Sequence, residues 1–141
     1  MAVNMAITKK TKNTRRTGDI GERIAQKYLK ERGYTIIETN YLKNWGELDI
    51  VAQIGVVIHV IEVKTHTFDS KDALNRSRDG DNWQPEEQVH GRKLHQIEKA
   101  LQTWIVENDW EGEYQIDVIA VKMVPAVRYA TVKHIKNVVY G

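Results

Sequence analysis

The sequence predicts an α/β fold in which a mixed central sheet is flanked by helices. Apolar residues recur at helical spacing in two segments, 17–33 and 92–108. Between and after these segments lie runs rich in β-branched and aromatic residues, which favour strands. The resulting order, α-β-β-β-α-β-β, packs as one sheet between two helices.

Each element has its own signal. The first helix begins at Thr17, a residue type favoured as an N-cap, and ends at Gly33, a helix stop signal. The second helix carries one apolar face, formed by Leu94, Ile97, Leu101, Trp104 and Ile105. The predicted strands cover residues 34–40, 47–52, 56–64, 113–124 and 127–135. Segment 65–91 is polar and lacks clear periodicity, which is typical of a functional or mobile loop.

The composition describes an ordinary globular protein. Of 141 residues, 41% are apolar and 28% charged, which predicts a single domain over residues 17–141. The chain has no cysteine, so it can form neither a disulfide nor a thiolate metal site. No apolar run approaches the ~18 residues that span a bilayer, and the N-terminus lacks an apolar signal core. We therefore expect a cytoplasmic protein with no membrane association.

Charge is concentrated at the N-terminus. Residues 1–16 contain several basic residues and no acid, namely Lys9, Lys10, Lys12, Arg15 and Arg16. This composition predicts a flexible basic arm that can lie along phosphates, with Arg15 and Arg16 as candidate nucleic-acid-binding residues. A solubilising tail is an equal alternative.

Two carboxylates and an ammonium interrupt the apolar strands of "GELDIVAQIGVVIHVIEVKT", residues 46–65. If Ile54 and Gly55 form the two-residue loop of an antiparallel hairpin, residue 49 lies opposite residue 60. Asp49, Glu62 and Lys64 then share one face, because side chains alternate along strands. The two carboxylates become diagonal neighbours with Cβ atoms roughly 6–8 Å apart.

This arrangement favours a divalent cation. Two converging carboxylates repel each other and are costly to bury alone. Hard oxygen ligands suit Mg²⁺ or Mn²⁺, and Lys64 could activate water and stabilise charge on a phosphate, as phosphodiester hydrolysis requires. The alternative is that Asp49 ends a strand on solvent and that Glu62 and Lys64 form an exposed pair.

Other polar residues of the chain have both a functional and a structural interpretation. Glu22 lies at the edge of the first helix's apolar arc and is either a further member of the site or a glutamate that favours the helix N-terminus. The histidines at 59, 66, 90 and 95 lack the spacing of zinc ligands, so no zinc site is expected. Asp117 is expected to form local hydrogen bonds instead of binding a metal.

The residues "GDIGERIAQKYLKERGYTIIETNY", "GELDIVAQ" and "VVIHVIEVKT" resemble the YraN-like family of small bacterial proteins. That family belongs to the PD-(D/E)xK nuclease superfamily and is related to archaeal Holliday junction resolvases. The resemblance extends through "GRKLHQIEKALQTWI", "YQIDVIAV" and "VKHIKN", and it implies a restriction-endonuclease-like core of order α-β-β-β-α-β.

The resemblance also implies roles for individual residues. Asp49 and Glu62 match the metal-binding acids, and the backbone carbonyl of Val63 would be a third ligand. Lys64 matches the catalytic lysine, and Glu22 matches a helix glutamate that assists metal binding.

Basic residues near this motif are candidates for contacts with nucleic acid. Arg92 and Lys93 begin the second helix, where the family has a basic pair and where free backbone amides favour phosphate. His66 follows Lys64 by two residues. Ordinary surface solvation explains these residues equally well.

We therefore expect a Mg²⁺- or Mn²⁺-dependent endonuclease acting on branched or otherwise structured DNA. The resolvase likeness implies a homodimer, because two strands are cut symmetrically. The alternative is a nucleic-acid-binding module that has kept the nuclease fold with little or no catalysis.

Overall fold

The computed structural model describes residues 2–4, 14–77 and 89–138, and these form a mixed sheet with helices on both faces. Its strands are β1 (Ala2–Asn4), β2 (Thr35–Lys43), β3 (Gly46–Ile54), β4 (Val57–Thr67), β5 (Glu113–Val124) and β6 (Tyr129–Ile135). Its helices are α1 (Thr14–Glu31), α2 (Lys71–Arg76) and α3 (Gly91–Glu107), with a short 3-10 turn at Pro125–Val127. The predicted fold class is confirmed.

The sheet has the strand order β1-β6-β5-β4-β3-β2. β4 and β5 are parallel, and the other neighbours are antiparallel. Parallel neighbours need a long crossover connection. The connection from β4 to β5 contains α2 and α3. The sheet is therefore mixed because helices separate β4 from β5 in the chain.

Two apolar cores cover the two faces of the sheet. α1 packs its stripe of Ile20, Ile24, Ala25 and Leu29 on one face. α3 packs Leu94, Ile97, Leu101 and Trp104 on the other. Successive strand residues serve opposite cores, as Val60 and Ile61 do. Burial on both faces explains why β4 and β5 read as nearly continuous apolar runs.

The register of the β3–β4 hairpin differs from the prediction by two residues. Ile54 lies opposite Val57, so the loop consists of Gly55 and Val56, and Ile50 lies opposite Ile61. Gly55 has a positive φ of 58° and is the first loop residue, where a type II′ turn favours glycine. A shift of two residues leaves every side chain on its predicted face, whereas a shift of one would not.

The N-terminal arm predicted over residues 1–16 is corrected where the structure describes it. β1 pairs with β6 through Ala2 opposite Thr131, so this part is a strand of the sheet. α1 begins at Thr14, three residues before the predicted N-cap Thr17. Residues 5–13 lie outside the described part, and the domain boundary at residue 17 stays a prediction.

Segment 65–91 contains regular structure that its composition did not indicate. β4 continues to Thr67, and α2 follows after Ser70, whose Oγ accepts a hydrogen bond from the backbone N of Ala73 at 3.0 Å. Serine at this position satisfies one of the free amides of a helix start. Residues 78–88 are not described.

None of the helices in the described ranges is both long enough and apolar enough to cross a bilayer.

Candidate functional site

β3 and β4 separate at one end of their hairpin, and the candidate site lies in this fork. Their pairing ends at Ile50 and Ile61 although both strands continue further. Beyond that pair, the backbone N–H of Val63 donates a hydrogen bond to Oδ2 of Asp49 at 2.9 Å. The carboxylate of Asp49 thus replaces a backbone partner and is held between the strands.

Glu62 is a buried carboxyl group in contact with Asp49. Its side chain is only 10% exposed and shares a hydrogen bond with the Asp49 side chain. Burial, followed by the charge of Asp49 and this hydrogen bond, raises the pKa of Glu62 to about 8. The surroundings therefore disfavour the charged form of Glu62, as expected for a buried carboxyl group beside a like charge.

Two lysines counter this acidic pair. Lys64 lies on the same face of β4 as Glu62, and Lys93 on α3 brings its Nζ to 3.8 Å from Oε2 of Glu62. Both positive charges lower the pKa of Glu62, but their effect is smaller than that of burial and Asp49. The predicted site therefore contains two ammonium groups.

α1 brings Glu22 towards the same end of the sheet. Burial, followed by the charges of Asp49 and Asp19, raises the pKa of Glu22 to about 7, while a hydrogen bond with Asn40 acts in the opposite direction. α1 approaches β4 so closely here that a Cβ added at Gly21 would collide with the side chain of Thr65. Glycine at this position lets the helix carry Glu22 to the fork.

The acidic group is looser than a preformed three-ligand cage. Within the described ranges, Glu22, Asp49 and Glu62 do not bring three carboxylate oxygens within 4.8 Å of one another. Val63 is held beside Asp49 by its N–H, and a ligand role for its carbonyl stays a prediction. The structure thus brings Asp49 and Glu62 together and leaves Glu22 at the margin.

The predicted nucleic-acid-binding residues occupy different environments. Arg92 is exposed in the first turn of α3, whereas Lys93 faces Glu62. His66 is partly buried, and its Nε2 has no hydrogen-bond partner among the described residues. The backbone of Arg15 and Arg16 belongs to the first turn of α1, but their side chains lie outside what the structure describes.

A second polar cluster was missed by the sequence analysis. His59, Asp117 and His134 are the group in the described residues whose three ligand atoms lie within 4.8 Å of one another, and they could hold a metal ion. The local hydrogen bond expected for Asp117 is present, from Nε2 of Gln115, but Asp117 also contacts the two histidines, which are 58 and 17 residues away in sequence. The sequence pattern did not relate His59 to His134, because their separation matches no regular ligand spacing.

Asp117 is an ionised carboxylate despite its burial. Burial by itself raises the pKa of Asp117, but hydrogen bonds from His134, Asn137, Gln115 and His59 outweigh this effect and lower the pKa to about 2. The pKa values of Asp117 and Glu62 shift in opposite directions because Asp117 faces hydrogen-bond donors and Glu62 faces another acid.

Comparison with known proteins identifies relatives over most of the chain. A family model described as uncharacterised protein family UPF0102 matches residues 21–121. A UPF0102 protein of Alkaliphilus metalliredigens is 40% identical over 80 residues, covering 57% of this chain and 68% of the relative. One of Campylobacter fetus subsp. fetus is 32% identical over 118 residues, covering 84% and 88%. One of Flavobacterium psychrophilum is 31% identical over 104 residues, covering 74% and 78%.

Proposed function

The chain belongs to the uncharacterised protein family UPF0102, a family of the restriction-endonuclease-like superfamily, and we propose that it is a metal-dependent endonuclease. Its reaction would be hydrolysis of phosphodiester bonds in structured or branched DNA. The observation that carries the proposal is the contact between Asp49 and Glu62 in the β3–β4 fork, with Lys64 on the same strand face.

The donor set fits a hard divalent cation. Burial and the repulsion between two neighbouring carboxylates raise the pKa of Glu62, and a divalent cation would relieve both effects. Mg²⁺ and Mn²⁺ prefer oxygen ligands and retain several waters. Asp49 and Glu62 would hold the ion, with the carbonyl of Val63 as a third protein ligand and Glu22 assisting from α1.

The chain's own residues would divide the remaining work. When bound, the ion would polarise the scissile phosphate and lower the pKa of a water molecule. Lys64 would orient the attacking water and stabilise charge on the phosphate, because an ammonium in a partly dry site acts more strongly than in solvent. Lys93 would offset the negative charge of Glu62, so that the pocket repels a phosphate less strongly.

The substrate class rests on charge and on the family likeness. Arg15, Arg16, His66, Arg92 and Lys93 would contact phosphates, which position a nucleic acid without reading its sequence. Branched DNA follows from the relation of the superfamily to junction resolvases. A homodimer would present two such sites to two strands, and a cytoplasmic location would give access to DNA.

Cleavage of a labelled four-way DNA junction tests the proposal. With Mg²⁺, the wild-type protein should nick or resolve the junction. Lys64→Ala should reduce the rate roughly 100-fold or more, the size of effect seen when a charge-stabilising group is lost, and should leave DNA binding intact. Lys99→Ala, which alters an exposed lysine of α3, is the matched control and should cleave normally. Equal cleavage by Lys64→Ala would point to a contaminating nuclease and would defeat the proposal.

A second candidate is a nucleic-acid-binding module with little or no catalysis. Lys93 favours it, because an ammonium 3.8 Å from Glu62 already compensates part of the buried charge without a metal ion. In that case the wild-type protein would bind the junction in a gel-shift assay and would leave it intact at any Mg²⁺ or Mn²⁺ concentration.

A further inference from the structure

A second group of convergent ligands lies on the sheet face that α1 covers. Nδ1 of His59 lies 2.7 Å from Oδ2 of Asp117, and Nε2 of His134 lies 2.8 Å from the same oxygen. The three side chains come from β4, β5 and β6 and are 7%, 0% and 3% exposed, respectively. Three adjacent strands thus direct two imidazole nitrogens and one carboxylate oxygen to one buried point.

The surroundings of this group fix the direction of the carboxylate. Oδ1 of Asp117 accepts hydrogen bonds from Nε2 of Gln115 and from the backbone N of Asn137, each at 2.9 Å. Oδ2 is left to face the two histidines. Hydrogen bonds that orient a ligating carboxylate in this way are a regular part of metal sites.

Aromatic rings enclose the histidines. The Tyr34 ring meets the His59 ring edge-on at a centroid distance of 5.1 Å and lies 6.1 Å from the His134 ring. The Tyr28 ring meets His134 edge-on at 5.7 Å. These contacts restrict the orientation of both imidazole rings, so little side-chain entropy is lost when a ligand binds.

We propose that His59, Asp117 and His134 form a binding site for a divalent transition metal of the zinc type. Two neutral imidazoles and one carboxylate are a donor set that suits zinc and related ions and leaves one position for water. With metal–ligand bonds of about 2.0–2.1 Å, a tetrahedral ion separates its ligand atoms by roughly 3.3 Å. The two distances from Oδ2 of Asp117 to the imidazole nitrogens would need to lengthen by about 0.5 Å.

Proton balance permits this exchange. Each imidazole now offers a proton to Asp117, and a neutral imidazole can carry that proton on its other ring nitrogen instead. Binding the ion through Nδ1 of His59 and Nε2 of His134 therefore requires a change of tautomer without net loss of a proton.

This site is separate from the fork that holds Asp49. His59 precedes Glu62 by three residues on β4, which is roughly 10 Å along a strand, and its side chain points to the opposite face of the sheet. The ion would tie β4, β5 and β6 together on the α1 side. The test of this site is independent of any nuclease activity.

Zinc binding by the full chain after removal of metals with a chelator tests the proposal. One equivalent of Zn²⁺ should bind, and excess Zn²⁺ should raise the melting temperature by roughly 5 °C or more. Co²⁺ at the same site should give the intense visible absorption of a four-coordinate ion. Asp49→Asn should retain this stoichiometry, because it alters only the fork.

His59→Asn and His134→Gln separate a metal site from a hydrogen-bond network. Each replacement keeps an amide N–H donor near the position of the original ring nitrogen, so Asp117 keeps its hydrogen bonds while a metal ligand is lost. Both variants should fold and should lose the Zn²⁺-dependent rise in melting temperature. His95→Gln, on the exposed side of α3, should behave as the wild type does.

Two results would overturn the proposal. One is a wild-type protein that binds no Zn²⁺ and shows no four-coordinate Co²⁺ spectrum. The other is Zn²⁺ binding that persists in folded His59→Asn and His134→Gln. Should both variants fail to fold, the wild-type stoichiometry and spectrum in the Asp49→Asn background decide the question.

Discussion

Glu62 and Asp117 are both buried acids of neighbouring parallel strands, and their surroundings give them opposite properties. Glu62 contacts Asp49 and has a raised pKa. Asp117 receives hydrogen bonds and has a lowered pKa. The first environment destabilises a negative charge and would be relieved by a divalent cation, whereas the second is satisfied by the chain itself. The ionised side chain of Glu62 therefore lowers the stability of the fold, whereas that of Asp117 does not.

This difference predicts how Glu62→Gln changes stability. A carboxyl group whose folded pKa of about 8 exceeds its ordinary pKa of 4.5 loses its proton first in the unfolded state. The wild-type protein should therefore lose stability relative to Glu62→Gln as pH rises from about 4.5 to about 8. With chelator present, urea unfolding at pH 5 and pH 8 should show the advantage of Glu62→Gln growing by roughly 3–4 kcal/mol.

An exposed glutamate provides the comparison. Glu111 lies on the surface after α3. Glu111→Gln should change the unfolding free energy by no more than about 0.5 kcal/mol at either pH. If the difference between wild type and Glu62→Gln were the same at pH 5 and pH 8, the ionisation of Glu62 would not be opposed by the fold.

At the scale of elements, the contact between α1 and β4 positions the acidic end of the site. Gly21 lies where a side chain would collide with Thr65, whereas Gly18, one turn earlier, has no atom within 4 Å of an added Cβ. The two glycines therefore have different effects on the fold although they lie in the same helix. Gly21 permits a close approach, and Gly18 only weakens the helix.

Alanine substitutions should therefore have opposite signs. Gly18→Ala should stabilise the protein by up to about 1 kcal/mol through helix propensity. Gly21→Ala should destabilise it by roughly 1–3 kcal/mol through overpacking. Thr65→Ala should recover part of that loss in the double variant, as measured by a double-mutant cycle in urea. Additive effects of Gly21→Ala and Thr65→Ala would contradict the close contact.

Long elements were predictable from sequence and short ones were not. Residues 113–124 were predicted as a strand with the bounds that β5 has, because a long apolar run bounded by polar residues and Pro125 has one extended interpretation. β1 has three residues and α2 has six, and neither is long enough to show a period. The hairpin register was shifted because Gly55 can occupy either position of a two-residue loop.

The candidate site was predictable only in part, for the same reason. Asp49 and Glu62 lie on strands joined by one turn, so alternation alone places them on one face. Asp117 and His134 lie on strands joined by a short turn, but a long crossover that contains two helices separates His59 from both, and no local spacing relates the three residues. One signal was present: His59 and Asp117 each stand between two apolar residues, which implies burial, and buried polar residues need partners.

At the scale of the whole molecule, two cores share one sheet, and the candidate site lies at the end where β3 and β4 part. α1 contributes Glu22 from one face and α3 contributes Lys93 from the other. The remaining groups, Asp49, Glu62 and Lys64, come from the sheet between them. The fold thus gathers acids and ammonium groups from three layers at one place.

The most direct measurement is the anomalous diffraction of manganese in crystals of the wild-type protein soaked with Mn²⁺. The account predicts a peak within about 2.5 Å of a carboxylate oxygen of both Asp49 and Glu62, and the loss of that peak in Asp49→Asn. Manganese found only elsewhere, including at His59, Asp117 and His134, would contradict a cation site in the β3–β4 fork.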